Sequence, residues 1–136
     1  MMTENPQQQS WLRAIAHAAK EQGVSLPSFT KHGMGSARSV SCDGRFITFK
    51  RRLVPSTQAE VDGVEWTLWT AQDQLPVPVA AFREPLEPKP ENVTVALSLL
   101  KGWLVDRWSA EETQAAVKAH PRALPVEELP PLGTPS

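Results

Sequence analysis

Residues Arg38 to Leu53 read R-S-V-S-C-D-G-R-F-I-T-F-K-R-R-L, and the Asp43-Gly44 pair at their centre is the feature that most constrains the fold. An Asp-Gly pair between alternating apolar residues specifies a β-hairpin, because both residues of the tight turn take positive φ. With these two as the loop, Cys42 is expected opposite Arg45, Val40 opposite Ile47 and Arg38 opposite Phe49. Alternation then puts Val40, Cys42, Ile47 and Phe49 on the core face. The other face receives Ser39, Ser41, Phe46, Thr48, Lys50 and Arg52. Arg45 and Arg51 share the core parity at its ends, where their stems can snorkel outward.

A further strand is expected over Val64 to Thr70, after the Asp62-Gly63 turn. Val64, Trp66 and Leu68 take the core parity, and Glu65, Thr67 and Trp69 the other. Glu65 then comes within reach of Lys50 or Arg52 across the strands, a pair worth at most about 1 kcal/mol. Val24, Leu26 and Phe29 suggest a short strand interrupted by Pro27, and residues 32–36 a loop. Residues 75–82 read as a proline-blunted edge strand. Residues 83–91 read as a stiff polar connector.

Helix signals bracket this β-rich middle. Asn5 as N-cap, Pro6 at the first helical position and Gln8 at the capping-box position start the first helix. Trp11, Leu12 and Ile15 lead its apolar stripe, Arg13, Lys20 and Glu21 fall off the stripe's centre, and Gly23 stops the helix. A second helix spans Val93 to Trp108, where an interior Gly102 signals close packing. Ser109 and Glu112 form a capping box that opens a third, shorter helix ending at His120-Pro121.

The order gives an α+β fold: a three- to four-stranded antiparallel sheet packed against an N-terminal helix and a C-terminal helix pair. Residues 1–124 form a single globular domain, and residues 125–136 a proline-rich tail expected to be disordered. In topology, the run helix–strand–strand–strand–helix resembles the double-stranded-RNA-binding domain. That family carries a lysine cluster at the start of its last helix, where this chain has Glu91-Asn92-Val93-Thr94, so its function is not carried over.

The chain's net charge of −1 excludes a global field steering it to nucleic acid or membrane. The charge is unevenly placed, however. Lys31, Arg38, Arg45, Lys50, Arg51 and Arg52 face only Asp43 within residues 23–52, and the following residues 53–90 are net acidic. The single cysteine, Cys42, precludes an intrachain disulfide. The polar N-terminus lacks the apolar region of a signal peptide, and no apolar run approaches the ~20 residues of a membrane span. A cytoplasmic protein with no membrane partner is expected.

No reaction chemistry emerges. His17, His32 and His120 are scattered and match no zinc spacing, so no metal is expected; His120 suits a helix end, where a cation is favoured. Cys42 has no histidine near in sequence, and the glycines around Met34 lack both phosphate-loop and dinucleotide spacing. The pairs Glu111-Glu112 and Glu127-Glu128 sit at a helix start and in the tail, without the burial a general acid needs. The tandem C-terminal helices would present Glu111 and Glu112 to phosphate, which excludes a helix-turn-helix reader. The expected function is therefore a non-catalytic, cofactor-free accessory that binds another protein. Its contact surface is expected at Phe46, Lys50, Arg51, Arg52 and Trp69, since aromatics beside arginines compose interface hot spots. The alternative is a nucleic-acid-binding accessory using hairpin 38–52, with cations on phosphates and Phe46 or Trp69 as a stacking platform.

Overall fold

Proline has no N–H to leave orphaned, so it opens the first helix, α1, at Pro6–Glu21. The computed structural model describes residues 6–31, 36–40, 44–52, 63–72 and 75–124. Gly23, at φ +70, ends α1 in a Schellman turn. Its N–H donates to the Lys20 carbonyl at 3.2 Å, and the Val24 N–H donates to the Ala19 carbonyl at 2.8 Å. That turn folds residues 24–29 back beside the helix, and they run as irregular backbone.

Among the described residues six strands follow one another in space in their order along the chain, all antiparallel. They are β1 (Thr30–Lys31), β2 (Ser36–Val40), β3 (Phe46–Arg52), β4 (Gly63–Gln72), β5 (Leu75–Pro85) and β6 (Ala123–Leu124). Helices α2 (Pro90–Leu104) and α3 (Ala110–Lys118) lie between β5 and β6 in sequence. The α+β class and the antiparallel sheet are as expected. The strand number exceeds three to four because two-residue strands flank the four longer ones at both edges.

Three boundaries also differ from expectation. The strand read at Val24–Phe29 is displaced to Thr30–Lys31, since Pro27 in that segment cannot donate to a ladder. The connector expected over 83–91 is absorbed, with Arg83–Pro85 in β5 and Pro90-Glu91 in α2. Pro90 at the first helical position starts α2 three residues early, and Glu91 in the first turn complements the helix dipole. At the other end α2 stops at Leu104. A Cβ at Gly102 would lie 2.4 Å from the Trp108 ring, so Trp108 packs where only glycine leaves room. The expected capping box opens α3, with Ser109 and Glu112 bonded reciprocally at 3.0 Å.

The register of the β2–β3 hairpin is one residue away from the expected one. Val40 pairs with Phe46, Ser39 with Ile47 and Ala37 with Phe49. A one-residue slip flips every side chain of a strand. Among the described side chains of β2, Ala37 and Ser39 are buried, and the Ser39 hydroxyl is satisfied by the Pro27 carbonyl at 2.8 Å. Gly44 does take positive φ, +93, and Arg45 lies outside β3, which begins at Phe46. Its guanidinium donates to the Trp103 carbonyl at 3.0 Å and the Trp108 carbonyl at 2.8 Å, and lies 3.8 Å from the centre of the Trp103 ring. The Trp103 carbonyl belongs to the last turn of α2 and the Trp108 carbonyl to the segment between α2 and α3, so these charge-assisted bonds tie the hairpin to both. Cys42 lies outside the described residues, as do His32, Asp43 and the tail 125–136.

The core lies between one face of the sheet and helices α1 and α2. Trp66 is fully buried at its centre, ringed by Trp11, Phe29 and Phe49 at centroid distances of 6.0, 5.9 and 4.4 Å. The Trp11 indole N–H bonds the Pro85 carbonyl at 2.9 Å, anchoring α1 to the far end of β5. Val64, Trp66 and Leu68 face this core, as the alternation of β4 predicts.

Candidate functional site

The sheet's outer face brings together several of the residues expected to form a contact surface. Phe46 and Trp69 sit directly opposite each other in the β3–β4 register, with rings stacked 2° from parallel at 5.8 Å. The Trp69 N–H donates to the Thr48 hydroxyl at 2.8 Å. Arg38 covers Phe46, its guanidinium 5.0 Å above the ring. The two aromatic residues are only 7% and 4% exposed, respectively. Each aromatic spends most of its surface on the other and on its neighbours.

The cations of this region are similarly engaged. Lys50 lies 3.6 Å from the Glu65 carboxylate, the cross-strand pair expected from their parity. Glu65 is held on its other side by Arg83 at 3.8 Å. Arg45 serves the end of α2. For Arg51 and Arg52 only the backbone is described, opposite Val64 and Gly63 at the end of β3.

His120 stands at the end of α3 as expected, but it is buried there, and its Nε2 lies 2.7 Å from the Glu84 carboxylate on β5. The Arg122 N–H donates to His120 Nδ1 at 2.9 Å, which makes Nδ1 an acceptor and places the ring proton on Nε2. The Arg122 guanidinium completes the cluster on the other Glu84 oxygen at 2.8 Å. Both ring nitrogens are occupied within the fold, so the cluster acts as a clasp joining β6 to β5. His17 is exposed and pairs with Glu21 at 3.4 Å, one turn along α1. Among the described residues, no group of three or more His, Cys, Asp or Glu is placed to hold a metal ion. No helix among them is long and apolar enough to cross a membrane.

The open concave surface lies on the opposite side of the fold. A groove of about 710 Å³ runs between α1 and residues 24–29, within the 300–1,000 Å³ typical of binding clefts. The Schellman turn at Gly23 creates it by folding the chain back without closing onto the helix. Leu12, Val24, Leu26 and Phe29 line it and are half-buried. Leu12, expected wholly in the core, is therefore shared between core and groove. Arg13, Ala16 and Lys20 form an exposed stripe along one rim, at the i, i+3, i+7 spacing of one helix face. No carboxylate lines the groove among the described residues.

The chain matches no protein-family model, no curated protein and no solved structure.

Proposed function

We propose that this protein is a non-catalytic binding module whose partner is another protein, and that the partner docks in the groove between α1 and residues 24–29. One observation carries the reading: this groove presents half-buried apolar side chains to solvent, whereas the aromatics of the sheet's outer face are packed away. An interface needs a desolvatable apolar centre with a polar rim. The groove supplies both, and its rim is cationic.

Co-purification of the native chain, with nuclease treatment of the eluate, tests the reading. A protein partner is expected to survive nuclease, to be lost with Ala16→Arg and to be retained with Lys50→Glu. Loss with Lys50→Glu and retention with Ala16→Arg would move the contact to the hairpin. A nuclease-sensitive eluate with steep salt dependence would make the ligand a nucleic acid bound through phosphates.

A further inference from the structure

We infer that the groove takes an acidic amphipathic helix, with carboxylates two turns apart meeting Arg13 and Lys20 and apolar side chains seated on Leu12, Leu26 and Phe29. The inference rests on reading the groove as a protein-docking site and specifies the chemistry of its occupant.

Charge is the first argument. Arg13 and Lys20 are exposed and make no ion pair or hydrogen bond with any described residue. The one carboxylate of α1, Glu21, stands at the end of the helix and does not line the groove. The groove therefore offers two uncompensated positive charges beside apolar surface. Such a surface attracts acidic partners and repels basic ones.

Spacing is the second. Seven residues of α-helix separate the two cations by ~10 Å along the axis. Side chains at i and i+7 of a partner helix have the same separation, and the positions between them supply an apolar stripe. An extended strand repeats on one face every ~7 Å and so falls out of step. A fatty acid carries one carboxylate and leaves the second cation unanswered.

The test uses the full chain and a fluorescent synthetic peptide. The peptide is an amphipathic helix with leucines on one face and glutamates at i and i+7 on its margin; a twin carries lysines in place of the glutamates. At low salt the acidic peptide is expected to bind about tenfold more tightly than its twin, the sum of two exposed ion pairs. Arg13→Glu combined with Lys20→Glu should reverse that order, and Ala16→Arg should abolish binding of both. All three positions are exposed, and circular dichroism confirms that the variants fold. Equal affinity for the two peptides, with Ala16→Arg still blocking both, would overturn the acidic-helix inference and leave the groove standing as a docking site. Binding untouched by Ala16→Arg would overturn the groove reading itself. Failure of the acidic peptide to bind overturns the inference. So does dodecanoate binding that blocks the peptide and depends on only one of the two cations, since the groove would then take a single-headed lipid.

Discussion

The β2–β3 hairpin and the α1 groove both carry cations beside apolar side chains, yet the fold treats them in opposite ways. In the hairpin region each cation whose side chain is described has a use inside the molecule: Arg45 on the carbonyls ending α2, Arg38 over Phe46, Lys50 on Glu65. Along the groove Arg13 and Lys20 have none among the described residues. A dense cluster of positive charge in a sequence is thus no measure of charge available to a partner. Of the two regions, the hairpin holds Arg38, Arg45 and Lys50 in contacts within the fold, whereas the groove leaves Arg13 and Lys20 without an ion pair or hydrogen bond among the described residues.

Substitutions sharpen this contrast in order of size. The largest effect belongs to the sheet's interior. Glu84→Ala leaves the His120 N–H buried and unpaired and strips Arg122 of its partner, so urea unfolding should show a loss of about 3 kcal/mol. Arg45→Ala removes two charge-assisted bonds and a ring contact, and should cost about 2–3 kcal/mol in the same measurement. Ser109→Ala, which removes a cap belonging to neither region, should cost about 1 kcal/mol. The Ser109 backbone N–H, followed by its hydroxyl, holds the Glu112 carboxyl below its usual value of 4.5. A carboxyl lowered on folding stabilises above its unfolded value, and that contribution is lost as pH falls through the folded one. The stability gap between the native chain and Glu112→Gln should therefore close on acidification below the usual glutamate range. Lys50→Ala should cost less than about 1 kcal/mol, as a half-exposed pair does. Arg13→Ala with Lys20→Ala should leave unfolding within about 0.5 kcal/mol of native. A larger loss there would break the comparison by giving those cations a structural role.

What the sequence revealed follows from how local each determinant is. Pro6, Gly23 and the Ser109–Glu112 box act within one turn of helix, and the structure places all three helix signals as read. The alternation V-E-W-T-L-W set the faces of β4 correctly because each residue's side follows from its neighbour's. The hairpin register was not readable from the Asp-Gly turn, since it depends on Arg45 reaching carbonyls 58 and 63 residues away. The helix-end position of His120 was readable, but its burial was not, because Glu84 lies 36 residues earlier. The groove left only partial traces. Gly23 marked the reversal, and Arg13 and Lys20 stood off the apolar stripe. Residues 24–29, however, carry no periodicity from which a wall could be read.

The order of the strands bears on how the fold comes together during synthesis. Among the described residues β1 to β5 pair only with strands adjacent in sequence, so these five can zip one after another as they leave the ribosome, whereas β6 joins β5 only after α2 and α3 have been made. Helix α1 is made first but has to wait: its Trp11 finds its acceptor on Pro85, 74 residues later. The bond that tethers α1 to the sheet is thus complete only once the last residue of β5 has been made, and a nascent chain stalled short of Pro85 would carry α1 without that anchor.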